Sequence, residues 1–180
     1  MSAPITLETE RLRLRMFTKD DLDDYASMCA DPEVMRYLGD GKAMSRTDTW
    51  RVIAMILGAW QLRGYGLWAV EDRVTRQFVG RVGFIHPEGW PGIELGWMLA
   101  RPFWGRGLAT EAGQVCLNYG FESFGFTRII SCIHPENHRS IAVAKRLGEK
   151  QEGTTEMFGK PALIYAIRKG ALTAESSQAA

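Results

Sequence analysis

One run constrains this chain more than any other: residues 92–112, GIELGWMLA followed by RPFWGRGLATEA. The first part reads as a strand and the second opens a helix, with a Gly-rich turn at 105–107 between them. Gly105 and Gly107 carry no Cβ, so backbone N–H groups there can approach a ligand closely. The helix starts at the same place, and the unpaired N–H groups of its first turn point into the turn together with its dipole. That makes a phosphate site, and Arg106 adds a positive charge. A tight strand-to-helix connection is the plainer use of the same residues. The run is not a P-loop, because G-x-x-x-x-G-K-[ST] is absent. Nor is it a dinucleotide fingerprint, because the third Gly is missing and no βαβ unit precedes it.

The rest of the chain supplies a sheet for this unit. Residues 11–17 alternate charge and apolar side chains and read as a strand. Helical signals follow: Thr18 before an acidic first turn, Asp31-Pro32 before a short helix, and Ser45 before a longer one closed by Gly64 and Gly66. Trp50, Ile53, Leu57 and Trp60 fall on one helical face and are expected in the core. Strands at 66–72, 77–86 and 93–100, joined by short links, predict an antiparallel meander. A helix to about Phe124, a buried strand at 128–134, a helix at 138–148 and strands at 154–158 and 162–168 complete the order. Mixed order of this kind is α+β rather than doubly wound α/β.

Composition excludes several classes. The 180 residues are 46% apolar and 24% charged, which suits one soluble globular domain. Twenty-two Lys and Arg against 21 Asp and Glu leave a formal charge of +1, which argues against a non-specific nucleic-acid binder. Cys29, Cys116 and Cys132 are odd in number and lack framework spacing, so Cys116 and Cys132 are expected as buried thiols. No apolar signal core opens the sequence and no stretch approaches the roughly 18 apolar residues of a span, so a reducing cytoplasm and no membrane are expected. His86, His134 and His138 do not pair with the cysteines at metal-ligand spacing, and no metal is expected.

After the strand at 128–134 comes HPENHRSIAVAKRLG, residues 134–148. With the opening TERLRLR, the run WGRGLATEA and the spacing between them, it resembles the GCN5-related N-acetyltransferase (GNAT) superfamily. More narrowly it is similar to the ribosomal-protein N-terminal acetyltransferase branch. The resemblance covers about 8–169. It implies a single α+β domain over 1–170 with a flexible tail at 171–180. It further implies a mixed, mostly antiparallel sheet of about seven strands, with about four helices. Strands 93–100 and 128–134 would be a central parallel pair that splays apart.

Acetyl-CoA would lie in that splay as co-substrate. Its pantetheine arm would bond the backbone of Trp97, Met98 and Leu99 like an added strand. Its pyrophosphate would sit on the turn formed by Gly105, Arg106, Gly107, Leu108, Ala109 and Thr110. The family pattern Gln/Arg-x-x-Gly-x-Gly/Ala falls on Trp104, Gly107 and Ala109, and Trp104 in place of Gln or Arg removes one polar contact. Asn137 matches the Asn that holds the pantetheine or positions the thioester.

The implied reaction is direct attack of a primary amine in a ternary complex, which needs a base, an oxyanion donor and an acid for the thiolate. Glu94 is the candidate base. A Glu on the solvent face of a strand or paired with an Arg is the alternative reading, and His86 is the rival base. A backbone N–H at a bulge near Gly96 would face the oxyanion. Many relatives carry a Tyr acid at the position of Ala144, so Ser140 is the candidate acid here, with a helix-capping role as its alternative. Glu149 replaces the usual Phe.

The acceptor side would be built from the helices at 18–62 and the loop 86–92. His86 and Trp90 are its candidate substrate-binding residues, and Tyr37 and Trp97 could also line it. Asp20, Asp21, Asp23, Asp24 and Asp31 could attract a cationic amine or form a solvated helix face. The acceptor is left open between a protein α-amine and a small amine such as a polyamine or aminoglycoside. A monomer or homodimer is expected. A non-catalytic acyl-CoA sensor on the same fold is the alternative function.

Overall fold

The computed structural model describes residues 5–170. Its strands are β1 (Leu7–Glu8), β2 (Leu12–Arg15), β3 (Leu67–Asp72), β4 (Phe78–Ile85), β5 (Glu94–Leu99), β6 (Arg128–Ile133), β7 (Lys150–Met157) and β8 (Lys160–Arg168). Its helices are α1 (Leu22–Cys29), α2 (Pro32–Met35), α3 (Arg46–Arg63), α4 (Leu108–Glu122) and α5 (His138–Arg146). The strands form one sheet in the order β1-β2-β3-β4-β5-β6-β8-β7. Every neighbouring pair is antiparallel except β5 and β6.

Local signals set the helix ends. The Asp31 side chain accepts from Glu33 N with Pro32 at the first helical position, and the Ser45 side chain accepts from Asp48 N. Gly64 ends α3 in the left-handed region, at φ 74°, where a Cβ is unfavourable. The β3–β4 link is a turn in which Asp72 Oδ1 accepts from Val74 N and Thr75 N.

Alternation along the strands divides the core into two layers. Trp68 and Val70 pack with Leu108, Ala112, Cys116 and Leu117 of α4. Leu67 and Ala69 face Tyr25, Cys29, Ile53 and Ile56 of α1 and α3. Each fully buried side chain of this size contributes roughly 1.5–3 kcal/mol. The helices thus cover both faces of the sheet, and β5 divides its side chains between the layers, with Leu95 and Leu99 in the first and Met98 in the second.

The structure corrects several expectations. The sheet has eight strands, because the two-residue β1 is too short to show a period. β7 starts at Lys150, four residues before the expected 154, with a register shift between Gln151 and Gly153. Trp50 is not core but 58% exposed, and Leu57 is exposed too. The buried stripe of α3 is Thr49, Ile53 and Ile56, with half-buried Trp60. Its first member is polar, and Thr49 Oγ1 satisfies itself on Ser45 O. Cys116 is buried, but Cys132 is only partly so. Nor is the acidic run all solvated: Asp21 is buried, bonded through both carboxylate oxygens to Arg15, which also reaches Glu71. Burial acts to raise the Asp21 pKa, but Arg15 and the Thr18 N–H outweigh it and leave the carboxyl below its ordinary value. The tail at 171–180 lies outside the described residues.

Candidate active site

β5 and β6 register at one pair only, Glu94 with Ile130. Beyond it the strands separate, and Ser131 Oγ donates to Leu95 O at 2.9 Å where the gap opens. The β6-facing backbone edge of 96–99 is left without a strand partner, as a bound extended arm would require. Trp97 and Leu99 present their backbone groups to this edge, whereas those of Met98 turn to β4, which corrects its expected contact with the arm. The Leu99 carbonyl is already engaged, accepting from Trp104 Nε1 at 2.7 Å. The expected bulge at Gly96 is absent: β5 keeps unbroken register with β4 from Glu94 to Leu99. The open edge arises because β6 turns away, not because β5 kinks.

The turn beyond β5 is built as a cradle. Gly105 and Gly107 have φ of 73° and 77°, in the left-handed region where a side chain is strained. Gly107 is the N-cap of α4 and brings no side chain to cap it. Among the described residues, the N–H groups of 105–110 find no hydrogen-bond acceptor. Thr110 Oγ1 is buried and unpartnered as well. A Cβ at Gly105 would meet nothing within 4 Å, and one at Gly107 only the Arg11 guanidinium, 3.7 Å away. These orphaned donors at a helix N-terminus fit a pyrophosphate.

Arg11 was not singled out from the sequence. It donates to Arg106 O at 3.0 Å and to Glu111 Oε2 at 2.7 Å, and Thr9 Oγ1 donates to Glu111 Oε1 at 2.5 Å. The turn between β1 and β2 therefore holds the cradle in place. Arg139 stacks on Trp104 at 4.7 Å and Arg106 on Phe103 at 5.6 Å, which places two further cations beside it.

A cavity of about 680 Å³ opens on the α1–α3 face of the sheet. It brings together Glu94, Ser140, Asn137, Trp97, Met98, His86 and Trp90; the 104–110 turn lies outside it. Glu94 is 8% exposed, which removes the reading of a solvent-facing Glu. Burial pushes its pKa up to about 7, against the Trp90 indole N–H, which donates to Oε2 at 2.5 Å, and the charge of Arg81. His86 Nδ1 lies 3.4 Å from Tyr65 Oη.

Ser140 does not cap α5. Asn137 does, its Oδ1 accepting from Ser140 N at 3.2 Å. Ser140 Oγ instead accepts from Trp97 Nε1 at 3.2 Å, so its own proton stays available to donate. A second buried carboxyl lies beneath the splay. Glu149 is 3% exposed and its Oε1 is 3.0 Å from Ser131 Oγ. Burial, with the Glu94 charge, pushes its pKa up to about 8. At neutral pH its proton is therefore positioned to be shared with Ser131, whose hydroxyl then serves Leu95 O. The departure from the usual Phe marked this position; the partner could not be read from the sequence.

Comparison with known proteins places the chain in a family. Residues 11–150 match the family described as Acetyltransferase (GNAT) domain. The chain is 35% identical over 173 residues to the uncharacterized protein YkkB of Bacillus subtilis, covering 92% of this chain and 96% of that one. It is 32% identical over 157 residues to the uncharacterized N-acetyltransferase p20 of Bacillus licheniformis, covering 86% and 88%. A solved acetyltransferase from Agrobacterium tumefaciens superposes with a TM-score of 0.82 at 30% identity, covering 94% and 96%. Solved ribosomal-protein acetyltransferases share the fold at 16–19% identity, with TM-scores of 0.73–0.76 and coverage of 92–93% of this chain and 97–99% of theirs.

Proposed function

The chain belongs to the GNAT acetyltransferase family, an acetyl-CoA-dependent N-acetyltransferase, and from that premise we propose that it acetylates a primary amine directly, with Glu94 as base and Ser140 as acid. The observation that carries this reading is the shared cavity: the buried Glu94 carboxyl and the Ser140 hydroxyl both line it, beside the open edge of β5.

When bound, acetyl-CoA supplies a thioester whose carbonyl carbon accepts the amine and whose thiolate leaves. The open edge of β5 at 96–99 and the Asn137 amide nitrogen hold the pantetheine arm, and the 105–110 N–H groups hold the pyrophosphate. Glu94, with a pKa near 7, is substantially ionised at neutral pH and takes a proton from the amine. Trp90 donates to Oε2 and Cys132 also bonds the carboxylate, so a remaining lone pair of the carboxylate takes that proton. A backbone N–H on the β5 edge past Gly96 faces the developing oxyanion. The C–N bond forms as the C–S bond breaks. Ser140 Oγ gives its proton to the departing sulfur and takes one from solvent in exchange, with Trp97 Nε1 donating to its oxygen meanwhile. His86 and Trp90 form part of the acceptor wall.

CoA release, read with a thiol reagent over a panel of amines, tests this. Acceptor-dependent release that is lost in Glu94→Gln supports the reading. Release unchanged in that variant removes Glu94 as base. No release with any amine, while acetyl-CoA still raises the melting temperature, points to an acyl-CoA sensor.

A further inference from the structure

The acceptor half of the cavity carries a chemical signature. Its walls away from β5 are apolar, with Met35, Leu38, Met44, Val52, Ile56 and Trp90 among the lining. The charged residues that line it are Arg63, Arg81 and Lys160 against Asp40 and Glu94. Among the described residues Lys160 Nζ reaches only a carbonyl, Asp40 O at 2.7 Å. Asp40 is exposed and sits 3.9 Å from Lys42, so the one carboxyl on the cavity floor is Glu94.

Arg81 shares that floor. Across β4 and β5 it pairs with Met98 as Ile85 pairs with Glu94, which sets Arg81 and Glu94 on the same face. No carboxylate lies within ion-pair distance of it among the described residues, and its Nε is buried without a partner. An amine arriving here finds one acid to receive its proton and a guanidinium beside it. A second positive charge would be desolvated against apolar walls and would face Arg81 and Lys160, while Arg63 is offset by Glu88 4.0 Å away. A peptide would bring an N–H and a C=O for every residue, and these walls offer few partners.

Resting on the transferase reading, we propose that the acceptor is a small monoamine with an apolar body, such as an arylalkyl or alkyl amine, and not a polycation or a peptide N-terminus. The whole cavity, about 680 Å³, is of ligand-pocket size, and the acceptor shares it with the thioester end of acetyl-CoA. The apolar body would lie against α3 and Trp90, with its nitrogen at Glu94.

The test measures kcat/KM with acetyl-CoA for 2-phenylethylamine and hexylamine against spermidine, kanamycin and a Ser-initiated hexapeptide. The apolar amines should lead by roughly tenfold or more. Transfer to the polycations or the peptide in preference overturns the inference and leaves the transferase reading standing. Calorimetry of 2-phenylethylamine with the CoA-saturated protein separates the two readings. Binding without transfer keeps the acceptor class and removes the catalysis, whereas neither binding nor transfer overturns the acceptor class. Ala59→Glu, on the partly buried cavity side of α3, should raise the KM for 2-phenylethylamine roughly tenfold with the acetyl-CoA KM unchanged. An unchanged amine KM overturns the placement.

Discussion

The indole N–H of Trp90 donates to Glu94 Oε2 at 2.5 Å, four residues along the chain. A side chain from a turn-rich loop thus reaches down to the carboxyl on the cavity floor and stabilises its charged form. Burial works against that bond, and the balance leaves Glu94 near pH 7. If Glu94 is the base, kcat/KM for the amine rises about tenfold per pH unit below 7 and levels above it, as far as Glu94 alone controls the limb. Trp90→Phe removes a donor to the charged form, so the Glu94 pKa should rise and the midpoint move to higher pH by about one unit. A pH–rate series on both proteins checks it. A midpoint that stays in place would show that another group controls the limb.

Gly107→Glu should abolish acetyl-CoA binding. The new side chain would start from a φ of 77° at the N-cap of α4 and bring a negative charge to the unpaired N–H groups of 105–110. Gly107→Ala separates strain from charge: it costs about 1 kcal/mol in backbone strain but should still bind. Titration calorimetry reads both. Wild-type affinity in Gly107→Glu would mean that the pyrophosphate lies elsewhere.

Ser140→Ala should lower kcat by about a hundredfold and leave the KM for acetyl-CoA within about twofold, because the hydroxyl acts on the leaving sulfur rather than on binding. Steady-state kinetics at varied acetyl-CoA checks the split. An unchanged kcat would remove Ser140 from the mechanism.

Much of this was legible in the sequence for identifiable reasons. The 92–112 run announces strand, turn and helix through local chemistry: glycines where φ is positive, and a helix start with no capping side chain. The meander reads from β-type runs separated by short links. What was hidden depends on partners distant in sequence. Arg11 becomes a clamp of the cradle only because β2 lies beside the start of α4, about 95 residues away in sequence. Trp50 reads as core from its spacing, yet the neighbouring Thr49 is the one buried, since a single polar residue can join an apolar stripe when its hydroxyl bonds within the helix. The missing bulge at Gly96 is also non-local, because the gap is made by β6. Glu149 stood out as an anomaly, and its meaning came from Ser131.

That anomaly has a thermodynamic consequence. The ordinary value for Glu149 is 4.5, and in the folded protein it is raised to about 8. Between those values the folded chain holds a proton that the unfolded chain has released. The stability linked to this group is therefore fully present below about pH 4.5 and lost as pH rises through about 8. A buried carboxyl shifted this far corresponds to roughly 5 kcal/mol across the window. Glu149→Gln keeps the shape and cannot titrate. Its melting temperature should lie close to that of the parent at pH 5, where Glu149 is neutral, and roughly 10 °C above it at pH 8.5, where the parent must bury a charge. Glu94 and Glu149 repel each other when charged, so the difference between the two curves reports Glu149 together with its coupling to Glu94. Parallel curves from pH 5 to 8.5 would show that Glu149 is not held neutral beneath the splay.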